Sequence, residues 1–127
     1  VGARAIRGGN VITLMKERKM FEQLYRSAKK NELLLINGGM TRFHLRKDTT
    51  LVIYEIISIR PGAGQEMLNM LKLTKGAISI FAKVPGDLDA NAWYQKRGFT
   101  LEGQEITKTG RTLNLWRLKL SPIDTQT

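Results

Sequence analysis

Hydrophobic and polar positions alternate along the chain with two periods, and the period switches at recognisable turn residues. From Lys16 to Lys30 the apolar residues Met20, Phe21, Leu24, Tyr25 and Ala28 recur at helical spacing, while Lys16, Arg18, Lys19, Arg26, Lys29 and Lys30 take the opposite face. This reads as an amphipathic helix whose last turn is basic, stopping at Asn31. Before it, Gly2 to Asn10 reads as a flexible lead-in, with Val11–Leu14 as a short strand. Three strand-like runs follow at Glu32–Asn37, Met40–Lys47 and Leu51–Ile59, the last two joined as a hairpin across Asp48-Thr49-Thr50. The run Leu51–Ile59 is apolar on both faces except at Glu55 and Ser58, the pattern of a central strand covered on both sides, which makes Glu55 conspicuous.

A Gly-x-Gly turn at Gly62–Gly64 opens a helix over Gln65–Leu73, with Met67, Leu68, Met70 and Leu71 as its apolar set, and Ala77–Val84 reads as another buried strand. Asp87, after Pro85-Gly86, suits the N-cap of a helix running to Arg97 and ending at Gly98. Phe99–Lys108 and Arg111–Leu120 form a closing hairpin across Thr109-Gly110, with a polar tail from Ser121 to Thr127. The order is helix, three strands, helix, strand, helix, two strands. It predicts one α/β (α+β) domain over residues 1–127, with a mixed, largely antiparallel sheet and one parallel step in the strand–helix–strand unit of residues 51–84.

Composition narrows the chemistry. The 127 residues, 42% hydrophobic and 25% charged, suit a folded domain with its own core. With no cysteine and one histidine, His44, neither a disulfide framework nor a metal site is expected, and His44 reads as structural. The absence of an apolar run of membrane-spanning length and of a signal peptide makes cytoplasmic residence, with no membrane partner, the expectation. The opening at Val1 leaves room for an upstream segment, and a homodimer stays open. The net charge of +10 is uneven. Residues 1–50 hold eleven Lys/Arg against four Asp/Glu, and residues 51–127 hold ten against seven. Such a surface suits an anionic acceptor, a nucleic acid or an acidic partner, and equally a solvated basic face.

Two segments carry specific chemistry. In Ile59-Arg60-Pro61-Gly62-Ala63-Gly64-Gln65-Glu66-Met67-Leu68 a strand runs through glycines into a helix, so the backbone can approach a ligand and exposed amides can bind phosphate. In Asp87–Phe99 a helix carries Trp93 and Tyr94 and ends in Lys96-Arg97-Gly98-Phe99. Trp93 and Phe99 read as core anchors. Tyr94 needs a polar partner if buried.

Together, in this order, the segments resemble the GNAT superfamily of acyl-CoA-dependent N-acyltransferases. Gly62 and Gly64 match the glycines of its cofactor turn and Met67-Leu68 the apolar pair. Ala90, Trp93, Tyr94, Lys96, Gly98 and Phe99 match its later motif. Two positions depart from the pattern: the arginine is Arg60 rather than residue 59, in a loop that reads as shortened, and Asp87 replaces an asparagine. The resemblance implies acetyl-CoA as acyl donor and no metal. Amides of Gly62, Ala63, Gly64 and Gln65 would hold the pyrophosphate, with Arg60 adding charge. The strand at Ile57 and Ile59 would pair with the pantetheine, Tyr94 would be general acid and Glu55 general base. The first helix would border the acceptor, an amine whose basic surroundings suit an anionic or nucleic-acid-associated compound. Two further readings stand beside this one: a nucleic-acid-binding or nucleic-acid-modifying protein, and a non-catalytic interaction module on the same scaffold.

Overall fold

The computed structural model describes residues 11–121. Its elements are α1 (Val11–Lys29), β1 (Leu33–Ile36), β2 (Gly39–Leu45), β3 (Thr50–Ser58), α2 (Ala63–Lys72), β4 (Ser79–Pro85), α3 (Ala90–Lys96), β5 (Thr100–Ile106) and β6 (Thr112–Lys119). The expected order holds throughout. The lead-in Gly2–Asn10 and the tail after Ser121 lie outside the described residues.

Six strands form one sheet in the order β1-β2-β3-β4-β6-β5. Only β3 and β4 run parallel, joined by α2 as crossover; the other neighbours are antiparallel. On one face, Leu51 and Ile53 of β3 stand beside Ile80 and Ala82 of β4 and pack against Leu68 and Leu71 of α2, with Tyr94, Phe99 and Trp116 completing the core. On the other face α1 lies over β1 and β2.

Three expectations are corrected. Val11–Leu14 is no strand, since helix α1 begins at Val11; the β-propensity of Val11, Ile12 and Thr13 yields to the helix that continues from them. The apolar stripe of α1 is not buried as a whole: Met20, Phe21, Tyr25 and Ala28 are exposed, and of the stripe from Met20 to Ala28 Leu24 alone is partly covered. Asp87 is not the cap of α3. The helix starts at Ala90, with Asp89 at the N-cap making no side-chain cap bond, and Asp87 sits in the preceding turn, 3.7 Å from Arg111.

The outer half of β3 also departs from a strand covered on both sides. Arg42 of β2 pairs with Glu55, but Phe43 pairs with Ile53, so Tyr54 is an extra residue, a β-bulge. The bulge puts Tyr54 and Glu55 on the α1 face in succession and turns Ile56 to the core face. Strict alternation would have aimed Glu55 at the core. From the same point β3 and β4 separate: their ladder runs from Thr50↔Ser79 to Ile53↔Ala82 and stops there. Tyr54–Ser58 and Lys83–Pro85 then face each other unpaired.

Asn91 holds α3 at this opening. Its amide nitrogen donates to the carbonyls of Pro85 and Leu88, both at 2.8 Å, and its Oδ1 accepts from Trp116 Nε1 at 2.8 Å and Asn114 Nδ2 at 3.0 Å. One side chain thus ties the end of β4, the turn before α3 and β6 together. Replacing Asn91 with Ala leaves the Trp116 N–H and two carbonyls without these partners, and a loss of about 1–3 kcal/mol is expected in urea unfolding. Asn91→Asp keeps the acceptor and loses both donors, so it is expected to be destabilising as well.

Candidate active site

The opening between β3 and β4 leads into a cleft of about 160 Å³ lined by Ile56, Ser58, Gly64, Ala90, Trp93 and Tyr94. Each wall has a local cause. Ile56 and Ser58 reach it because the bulge reset the alternation of β3. Gly64 reaches it because α2 starts directly beneath Trp93: a Cβ on Gly64 would lie 3.1 Å from Trp93 Cζ2. Tyr94 arrives from α3, its ring held edge-on by Trp93 at 5.1 Å and by Phe99 at 4.9 Å between centroids.

Tyr94 is 3% exposed, and among the described residues nothing takes a hydrogen bond from its hydroxyl. Burial disfavours the phenolate and pushes the pKa up from 10.0 to about 12. The group therefore keeps its proton at neutral pH.

The start of α2 forms the far wall. Gly62 is the N-cap at φ +84°, a left-handed conformation that a residue with a Cβ enters only under strain. The Ala63 amide bonds to the Arg60 carbonyl and the Glu66 amide to the Gly62 carbonyl. Among the described residues the amides of Gly62, Gly64 and Gln65 find no acceptor, so three N–H groups stand together where the helix dipole is positive. Arg60 is turned elsewhere. Its Nε donates to the Asn37 carbonyl at 2.9 Å and its Nη2 meets Glu66 Oε2 at 2.7 Å. Another cation stands nearer the cleft wall: Arg97 lies over the Trp93 ring at 5.2 Å, with its Nε buried and unpartnered among the described residues. The sequence offers a signal for it, a basic residue one turn after an aromatic at a helix end, but not its orientation.

Of the strand residues assigned to the pantetheine, Ile59 gives its amide to the Gly38 carbonyl at 2.8 Å and Ile57 turns its side chain to the α1 face; their neighbours Ile56 and Ser58 line the cleft. Glu55 also lies on the α1 face. It pairs with Arg42 at 3.2 Å and lines a separate cleft of about 290 Å³ with Lys16, Lys19, Met20, Leu24 and Met40. Tyr94 and Glu55 are thus on opposite sides of β3, at the stretch where β4 no longer closes the sheet. His44 makes a 2.5 Å contact with Glu32 in a third cleft, beside α1.

No protein-family model matches the sequence, and no curated protein matches it. Solved structures do match. Ard1 from Thermoplasma volcanium superposes with a TM-score of 0.68 at 14% identity, over 82% of this chain and 80% of its own. A GNAT-family acetyltransferase from Bacillus cereus gives 0.65 at 15% identity, over 83% and 80%. An acetyltransferase from Bacillus subtilis, solved in complex with CoA, gives 0.54 at 18% identity, over 66% and 70%. Over most of its length, and at low sequence identity, the chain has the fold of the GNAT acetyltransferases.

Proposed function

We propose that the chain is an acyl-CoA-dependent N-acyltransferase that moves an acetyl group from acetyl-CoA to an amine by direct attack. The observation that carries the reading is the unpaired opening between β3 and β4, which joins free strand edge, free helix-start amides and a buried phenol in one cleft. A pantetheine arm needs amide partners along an extended edge, and the stretch through Ile56, Ile57 and Ser58 offers one. A pyrophosphate needs N–H donors, and Gly62, Gly64 and Gln65 offer three. Arg97, beyond Trp93, adds positive charge near that end, while Arg60 stays committed to Glu66. The CoA bound to the Bacillus subtilis neighbour supports the same donor.

In this reading the thioester supplies an activated acetyl carbonyl, and the chain handles the protons. The amine nitrogen attacks the carbonyl carbon, the C–N bond forms and the C–S bond breaks. Glu55 takes the proton lost by the amine, and Tyr94 gives its own to the departing sulfur. The separation of the two groups supports the assignment. The opening exposes one carbonyl to both faces of the sheet, so the amine approaches from the α1 side, where Glu55 stands, while the sulfur lies toward Tyr94.

Three tests follow from these roles. Acetyl-CoA at 100 times its dissociation constant is expected to stabilise the fold by about 2.7 kcal/mol, read as a rise in melting temperature. Gly62→Val is expected to lower the melting temperature of the free protein through strain at φ +84° and to erase the ligand shift. No shift in the parent protein at millimolar acetyl-CoA rejects the reading. Tyr94→Phe keeps the ring packing and removes the acid, so turnover is expected to fall by roughly 10²–10⁴-fold with donor affinity retained. Unchanged turnover with chemistry rate-limiting makes Tyr94 a packing residue.

The same variant has a signature at high pH. The folded pKa of about 12 lies above the unfolded value of 10.0, so the contribution of Tyr94 is intact below pH 10.0 and is lost as pH rises toward 12. Urea midpoints between those values are expected to fall more steeply for the parent protein than for Tyr94→Phe.

A further inference from the structure

The cleft of about 330 Å³ between α1 and the β2–β3 hairpin is lined by Arg26, Lys30, Arg42, Glu32, His44 and Tyr54, and it shares Gln23 with the cleft that holds Glu55. Three cations line it, of which Arg42 is paired with Glu55 at 3.2 Å. Its one carboxylate, Glu32, is engaged by His44. Arg26 meets a carboxylate only at 3.9 Å, that of Glu22 on its own helix, and Lys30 has no ion pair among the described residues. Like charges gathered in a concavity repel one another, and an anion placed among them removes that cost. Tyr54 is set on this face by the bulge, with the Arg42 guanidinium 5.9 Å from its ring centre, and it brings a hydroxyl donor.

We infer that this cleft reads the acidic group of the acceptor, and that the acceptor is a small amine carrying a carboxylate or a phosphate. The inference rests on the acyltransferase reading, which puts the amine at Glu55. Arg42 lines one cleft, Glu55 the other, and the 3.2 Å ion pair between them is the partition. The nitrogen and the acidic group then lie on the two sides of one ion pair, only a few bonds apart. A long polyanion is a different case, because it would read the whole basic surface of α1, including Arg18 and Lys29, which line neither cleft.

The test is a titration of isotope-labelled protein with inorganic phosphate and, separately, with acetate, following the amide signals of Arg26, Lys30, Arg42 and His44. A saturable change at these four is expected, and the anion that saturates at the lower concentration names the acid. In the double variant Arg26→Ala, Lys30→Ala, affinity at these signals is expected to fall about tenfold or more, the scale of one charge-assisted hydrogen bond. Arg18→Ala with Lys29→Ala is expected to leave it within about twofold. Both variants keep the Gly62–Gln65 turn, so both are expected to retain the thermal shift with acetyl-CoA. Loss of that shift in the parent protein would sink the acyltransferase reading while the anion titration still judged the cleft. The inference is overturned if neither anion perturbs the four signals, or if the two double variants lose affinity equally. It is also overturned if short duplex DNA binds more tightly than either small anion with all four cations contributing alike, which would make α1 a nucleic-acid surface.

Discussion

The extra residue Tyr54 in β3 is the constraint on which the rest of the site depends. A bulge in the β2–β3 ladder bends β3 and increases its local twist, which favours its parting from β4 on the other edge. Here the bulge falls where pairing with β4 ends, after Ile53↔Ala82. Three consequences come from that one residue. The sheet opens between its two parallel strands. Glu55 turns away from the core, where an unpaired carboxylate would be costly. Ile56 takes its place on the core face, beside the cleft that holds Tyr94. Asn91 keeps the other side of the opening in position, so the gap has one wall bent by a bulge and one pinned by hydrogen bonds.

Much of the architecture was legible in the sequence, because every main element has a strong period and a turn at its ends. Gly62–Gly64, Gly98 and Thr109-Gly110 punctuate the chain where the structure turns. The failures have specific causes. At Val11–Leu14 the local strand preference yields to the helix that continues from it, and Asp87, a good capping residue, lies two positions before the cap that Asp89 takes. The bulge was not legible, because alternation assumes a regular strand. With it went the facing of Glu55 and the placing of the Ile56 and Ser58 side chains in the cleft.

Charge was legible in amount and only partly in use. The excess on residues 16–30 is on the solvent side of α1 and around its clefts, as the helical spacing implies. Arg60 shows the limit. Its place beside the Gly-x-Gly turn suggests a phosphate ligand, but a carboxylate one helical turn into α2 meets it at 2.7 Å. Neighbours in space, not in sequence, decide which cation is engaged. Arg97, remote from the turn in sequence, stands on the ring that touches Gly64.

In the proposed reading, the open sheet also divides the proton chemistry between two faces. In one shared pocket a phenol and a carboxylate would be drawn into a direct hydrogen bond. Here the strand itself keeps them apart. Tyr94 is buried, packed between aromatic rings and protonated; Glu55 is partly exposed and paired with Arg42 at 3.2 Å. Tyr94 holds the proton its proposed role requires before any ligand arrives. In that reading the two groups meet one atom at the gap that β3 and β4 leave between them.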